Sequence, residues 1–215
     1  MISIEDSTFC GCSKLSSVNI PNSVTNIGKS AFKGCSGLTQ IRIGKVQTIG
    51  NSAFEGCSGL TNLEIPNFVI SIRAGAFKGC TGLTSINLGT SLKDIGEDAF
   101  KDCEKIKSVI VNNLYPPEWY RNNNVVNTPF EKVVIWYATL HIPVGSKRVY
   151  TEAAADTWGQ FFNIVDDITG IKKVRTMEND SHSTQNNYYD LQGRPVNNPV
   201  KGQIYIVNGK KALAK

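Results

Sequence analysis

The chain has 215 residues, with 40% hydrophobic and 19% charged side chains, an ordinary globular balance that excludes a disordered polymer. No apolar run approaches the ~18 residues of a membrane span. The net charge of +5 sits in the tail: residues 168–215 hold 8 basic and 3 acidic side chains, against 11 and 9 in residues 1–111 and 4 and 6 in residues 112–167. A near-neutral body without a basic stripe argues against a nucleic-acid partner.

The chain opens on Met1-Ile-Ser-Ile-Glu-Asp6, with neither the basic nor the apolar region of a signal peptide. It reads as starting inside a repeat, as a trimmed or mature fragment would. Ile4, Ile27, Ile49, Ile72 and Ile95 recur at steps of 23, 22, 23 and 23 residues. Five residues after each comes Phe9, Phe32, Phe54, Phe77 or Phe100, and three further on Cys12, Cys35, Cys57, Cys80 or Cys103. Leu15, Leu38, Leu60, Leu83 and Ile106 follow, and two more apolar columns close the unit, ending at Val109 and Val111. Such self-similarity is the mark of a solenoid, whose copies bury their apolar faces only by stacking.

Within a copy, Leu-x-x-Ile-x-Ile (Leu38 to Ile43) alternates as a half-buried strand does, and Pro21, Gly44, Pro66 or Gly89 stops it. Ile-Gly-x-x-Ala-Phe-x-x-Cys (Ile27 to Cys35) is too short for an isolated helix. It predicts a turn with one helical or 3₁₀ turn that drops Phe and Cys into the core. The five column cysteines are expected inside, as buried free thiols rather than disulfides or metal ligands. Cys10 stands where other copies have Lys33, Glu55, Lys78 and Lys101, and is expected exposed and reactive.

The period of two turns the side chains between the apolar columns outward. These are Ser17 and Asn19, Gln40 and Arg42, Asn62 and Glu64, Ser85 and Asn87, then Ser108 and Ile110. The ladder reads either as a binding face or as a merely solvated one, and Arg42 and Glu64 stand close enough along it to pair. In Tyr115-Pro-Pro-Glu-Trp-Tyr120, Trp119 and Tyr120 suit either ligand contact from a cap loop or packing over the last repeat. No nucleophile–base–orienter set is visible: His141 takes a polar strand slot equivalent to Asn19. The glycines of Gly34-Cys-Ser-Gly37 recur as turn punctuation, not as a phosphate loop. No enzyme activity, cofactor or metal site is expected.

The stretch Ile49-Gly-Asn-Ser-Ala-Phe-Glu-Gly-Cys-Ser-Gly-Leu-Thr-Asn-Leu-Glu-Ile-Pro66 resembles the BspA-like, or Treponema pallidum-type, leucine-rich repeats of bacterial surface proteins, over residues 4–111. The resemblance implies a repeat solenoid, a right-handed array of short parallel strands with turn or 3₁₀ segments. Residues 112–167 resemble the family more loosely: Thr128-Pro-Phe130 as an Ala-Phe element, Leu140-His-Ile-Pro-Val-Gly-Ser-Lys147 as a final strand, and Tyr150, Trp158, Phe161 and Ile164 as an aromatic end-cap.

Residues 176–187 read as a polar linker. Beyond it, Tyr188-Tyr-Asp-Leu-Gln-Gly-Arg194 and Gly202-Gln-Ile-Tyr-Ile-Val-Asn-Gly-Lys-Lys-Ala-Leu213 predict a small β module with a hairpin turn at Asn208-Gly209. These pieces resemble C-terminal sorting modules of Bacteroidetes surface proteins. The expected organisation is five repeats over 1–111, a degenerate last repeat and cap over 112–167, and a linker with a sorting-like tail over 168–215. The resemblance implies an extracellular or cell-surface, adhesin-like protein with a protein or glycan partner, host extracellular matrix being one class. The alternative is a scaffold module of a larger surface protein with no ligand of its own.

Overall fold

The computed structural model describes residues 2–119, 121–122, 125–126 and 128–169, and in the tail 188–189, 195–196, 204–207 and 210–213. Residues 1–168 and 169–215 form separate compact units. In the first unit the strands are β1 (Ile2–Ile4), β2 (Ser17–Asn19), β3 (Val24–Ile27), β4 (Gln40–Arg42), β5 (Thr48–Ile49), β6 (Asn62–Glu64), β7 (Ser71–Ile72), β8 (Ser85–Leu88), β9 (Asp94–Ile95), β10 (Ser108–Val111), β11 (Glu118–Trp119), β12 (Arg121–Asn122), β13 (Val125–Val126), β14 (Thr139–Pro143) and β15 (Asn163–Ile168). One helix, α1 (Lys132–Tyr137), precedes β14.

The chain winds into a β-solenoid of stacked parallel coils, as the column spacing predicts. Each of the first coils carries two strands, not the single one read from the sequence. The Leu-x-x-Ile-x-Ile strands pair in parallel in the order β15-β14-β10-β8-β6, with β2-β4 as a separate pair. The Ile column forms a second parallel sheet, β1-β3-β5-β7-β9-β11, in which Ile27, Ile49, Ile72, Ile95 and Trp119 lie in register. Strands of two residues, as β5, β7, β9 and β11 are, are too short to show a period of two, and only stacking on neighbouring coils stabilises them.

Between the sheets the chain turns through i→i−3 bonds, such as Cys35 N–H to Phe32 C=O at 3.2 Å and Leu38 N–H to Cys35 C=O at 3.0 Å. These are successive β-turns and not the expected helical or 3₁₀ turn, because Ser30 and Gly34 take φ of +54° and +75°, outside the helical range. A directional ladder ties coil to coil. Ser30, Phe32 and Gly34 donate to the carbonyls of Asn51, Ala53 and Glu55, and Ser52, Phe54 and Gly56 donate to those of Ala74, Ala76 and Lys78. The coils lie so close that a Cβ on Gly37 would run into the Ser13 carbonyl, which is why only glycine fits there.

Phe32, Phe54, Phe77 and Phe100 are buried and stack face on face at centroid spacings of 5.0, 5.3 and 5.4 Å. Phe130 continues the stack 5.2 Å beyond Phe100. Each buried column cysteine donates its thiol to the carbonyl of the Phe in the preceding coil, Cys57 to Phe32 and Cys80 to Phe54 at 3.2 Å each. Cys12 departs from the expectation that all five lie inside. It belongs to the first coil, has no earlier coil over it among the described residues, and is exposed like Cys10. Val24, Val46, Val69 and Leu92 make a further buried column.

The far end of the solenoid is closed by aromatic groups. Trp158 is buried, donates from its indole N–H to the Pro117 carbonyl at 2.6 Å and lies 5.4 Å from Trp119. The Tyr150 hydroxyl reaches the Asn113 carbonyl at 2.8 Å. These side chains take up backbone acceptors that a following coil would otherwise satisfy.

In the second unit, β16 (Tyr188–Tyr189), β17 (Pro195–Val196), β18 (Ile204–Val207) and β19 (Lys210–Leu213) form an antiparallel sheet, β17-β16-β18-β19. The pairing Val207↔Lys210 leaves Asn208-Gly209 between the strands, where the hairpin turn was expected. The linker 176–187 lies outside the described residues.

Candidate functional site

The outward ladder follows from strand alternation. Val18, Ile41, Leu63, Ile86 and Val109 turn toward the core, so their flanking residues turn to solvent. Ser17, Asn19, Gln40, Arg42, Asn62 and Glu64 are exposed, whereas Ser85, Asn87, Ser108 and Ile110 are half-buried. The columns continue past the five copies, with Thr139 and His141 beside Ser108 and Ile110, then Asn163 and Val165. Several of these side chains bond sideways along the ladder. Ser85 Oγ donates to Asn62 Oδ1 at 2.7 Å, Asn112 Nδ2 to Asn87 Oδ1 at 2.6 Å, and Asn163 Nδ2 to Thr139 Oγ1 at 2.8 Å.

The ladder is interrupted. No strand pairing joins β4 to β6, and Arg42 and Glu64, which the spacing would let pair, form no ion pair. The interruption coincides with the single 22-residue step of the repeat. A groove of about 360 Å³ lies there, lined by Asn19, Pro21, Asn22, Arg42, Pro66 and Phe68 among others.

The cap-loop reading splits. Trp119 is only 3% exposed, so it belongs to the core and not to a ligand-contacting loop. It occupies the Ile column, 24 residues after Ile95, and packs edge-on against Phe130. Tyr120 lies outside the described residues. Among the described residues the most exposed aromatic side chains are instead Trp136 (60%), Tyr137 (79%) and Phe162 (88%), ahead of Phe68 and Phe9. Phe162 is tied to the end of α1 by its N–H bond to the Ile135 carbonyl at 3.1 Å. Nothing in the repeat spacing marks them, since all three fall outside its columns.

A second groove, of about 900 Å³, lies along the Ile-column sheet and is lined by Arg73, Asp94, Glu97, Glu118 and Thr157 among others. Its Asp94 carboxylate accepts from Ser71 Oγ at 2.5 Å and stands 4.0 Å from the Arg73 guanidinium. His141 Nδ1 meets the Asp167 carboxylate at 2.9 Å. An oriented imidazole is one part of a hydrolytic triad, but among the described residues no hydroxyl or thiol bonds to its other nitrogen.

The buried thiols are chemically muted. Burial, with a small addition from the neighbouring Cys35, pushes the Cys57 thiol up to about 12. Burial likewise raises Cys103 to about 12, and it raises Cys35 and Cys80. A protonated thiol is a poor nucleophile and metal ligand. Among the described residues no group of three or more His, Cys, Asp or Glu could hold a metal ion, and no helix is long and apolar enough to cross a membrane.

A parallel β-solenoid with one Leu-x-x-Ile-x-Ile strand per coil and an internal Phe and Cys column defines a leucine-rich-repeat protein. The profile of the BspA type leucine rich repeat region matches residues 2–116 in six copies, and the chain belongs to that family. Among solved structures it is similar to a T. pallidum leucine rich repeat protein, with 25% identity, a TM-score of 0.51, and 77% of this chain and 79% of that one covered. It is also similar in fold to the pneumococcal vaccine antigen PcpA, with 18% identity and a TM-score of 0.57. That match covers 75% of this chain but only 38% of PcpA. No curated protein matches the chain.

Proposed function

We propose that this chain is a non-enzymatic binding protein of the bacterial surface or its surroundings, which contacts a protein or glycan through the outward strand ladder. The observation that carries the reading is the pair of outward columns presented coil after coil, with Asn19, Arg42, Asn62 and Glu64 exposed. Solenoids use such repeated faces as extended contact surfaces. Membership of the BspA type family supports it, as does the fold likeness to a pneumococcal vaccine antigen. A host-matrix component is one partner class that fits. The tail 168–215 then serves as the sorting or attachment module, behind five repeats over 1–111 and a cap over 112–167.

A scaffold with no ligand of its own is the second reading. It is favoured by the sideways bonds of Ser85, Asn112 and Asn163, which satisfy polar groups within the face itself.

The deciding experiment presents the purified chain to protein, matrix and glycan arrays, alongside a variant carrying Arg42→Ala, Glu64→Ala and Asn87→Ala. Folding should be unchanged, since outward polar positions rarely alter stability by more than about 0.5 kcal/mol each. Binding by the wild type that disappears in the variant supports the ladder. Binding that survives it but is lost on changing Trp136 and Tyr137 moves the site to the α1 end. An array that captures nothing leaves the scaffold reading in place.

A further inference from the structure

We infer that the gap between β4 and β6 is a docking groove for an extended peptide carrying acidic side chains. The inference rests on the ladder face being the binding surface and names the partner chemistry at one point of it.

The gap originates in a single missing residue. Ile20 to Ile27, Ile65 to Ile72 and Leu88 to Ile95 each span seven steps, but Ile43 to Ile49 spans six. The short connection runs close against the first coil: a Cβ on Gly44 would meet the Ile20 carbonyl oxygen at 2.7 Å and that of Pro21 at 2.9 Å. Coils three and four are equally tight, with Gly89 against the Pro66 carbonyl. The second coil is therefore drawn to the first, and the third to the fourth. They come together again at the Ile column, where Ile27 pairs Ile49. On the β4 bank of the gap Ile41 is half-buried, as Val18 is in the first coil, whereas Leu63 on the β6 bank, Ile86 and Val109 are buried.

Two consequences bear on a ligand. First, β4 is paired only on its β2 side and β6 only on its β8 side. Each turns an open strand edge toward the gap, and an open edge is a template for an incoming extended backbone. Second, the groove beside the gap has an apolar floor of Pro21, Pro66 and Phe68, with Asn19 and Arg42 at its rim and no carboxylate among its lining. Lys45 Nζ stands 5.4 Å from the centre of the Phe68 ring. Among the described residues neither Arg42 nor Lys45 is paired with a carboxylate. Glu64 lies on the β6 bank, so the acidic side chains of the peptide belong on the β4 bank. Main-chain bonds to the strand edges supply affinity, the apolar floor takes an aliphatic side chain, and the cations select for acid.

The test uses the full chain and a fluorescein-labelled peptide, acetyl-Thr-Val-Glu-Val-Glu-Val-Thr-amide, with a lysine-for-glutamate counterpart, read by fluorescence anisotropy. The acidic peptide should bind better than the basic one. Arg42→Glu should weaken it at least about tenfold, the scale of reversing one charge against a docked carboxylate. Inserting one asparagine between Gly44 and Lys45 restores the 23-residue spacing. It should abolish peptide binding and slow amide exchange at residues 40–42 and 62–64 as β4 and β6 pair. Equal binding of the two peptides, binding of neither, or an affinity that Arg42→Glu leaves unchanged overturns the inference, even if the insertion variant fails to fold. An array ligand whose binding survives both variants overturns the groove alone and leaves the binding reading standing. That reading itself fails when the arrays capture nothing, or when binding survives the combined Arg42→Ala, Glu64→Ala and Asn87→Ala variant.

Discussion

Replacing Phe54 by alanine tests the physical core of the solenoid, because the ring is held from both sides. Phe54 is fully buried and lies 5.0 Å from Phe32 and 5.3 Å from Phe77, with planes within 5° of parallel. Truncating a buried Phe costs about 3–5 kcal/mol. Each lost ring contact adds about 0.5–1.5 kcal/mol beyond area burial. The central Phe54→Ala variant should therefore fall at the upper end, near 5 kcal/mol, about the whole stability of a small domain. Phe9→Ala is the internal control. Phe9 is 38% exposed and has one stacked partner, Phe32 at 5.1 Å, so its loss should cost about 1–2 kcal/mol. Urea unfolding followed by circular dichroism, with thiols kept reduced, gives both values from the shift in midpoint at constant slope. Equal costs for the two variants, or no shift for Phe54→Ala, would refute the claim that the Phe column is a continuous internal stack.

Native thiol titration should find two fast thiols, Cys10 and Cys12, and four that react only after denaturation, since Cys35, Cys57, Cys80 and Cys103 are buried; rapid reaction of four or more would contradict the burial. Alkaline pH should destabilise the solenoid. The Cys57 and Cys103 thiols are pushed up to about 12, so between the ordinary thiol range near 9 and that value the unfolded chain loses protons that the folded chain keeps. Stability present below about pH 9 then falls by up to about 1.4 kcal/mol per pH unit for each such thiol. Thermal melts from pH 8 to 10.5 check this, and Cys57→Ala should flatten the slope. At the cap, Trp158→Phe removes the indole donor to the Pro117 carbonyl and should cost about 1–3 kcal/mol for the buried acceptor left unmet, seen as a lower Tm.

Much of this fold is legible from spacing alone. Columns 22 or 23 residues apart name the buried Phe, Cys, Leu and Ile positions of the inner coils because every coil repeats the same environment. What escapes is whatever depends on neighbours rather than on the repeat. The Ile-column sheet escapes because strands such as Thr48–Ile49 exist only through pairing with the next coil. Cys12 carries the same pattern as Cys35 but is exposed in the first described coil, and no column reports that. Trp119 reads either as a ligand-contacting loop aromatic or as packing over the last repeat, and only its pairing with Ile95 decides for packing, in the Ile column. The gap between β4 and β6 is written in the sequence as the single step of 22, but its effect, an open strand edge beside Arg42, requires the packing of Gly44 against the first coil. Trp136, Tyr137 and Phe162 escape because they lie outside the repeat columns, Trp136 and Tyr137 on α1 and Phe162 just before β15, where no period reports exposure.

The central claim is that the outward strand ladder is the surface that touches a partner. Amide hydrogen exchange of the chain with and without its array-identified ligand tests it most directly, because a footprint reports contact without any substitution. The account predicts slower exchange confined to the ladder strands, residues 40–42, 62–64 and 85–88, with the Ile-column strands unchanged. Protection that falls on residues 132–137 and 161–163, leaving the ladder strands as they were, would contradict it.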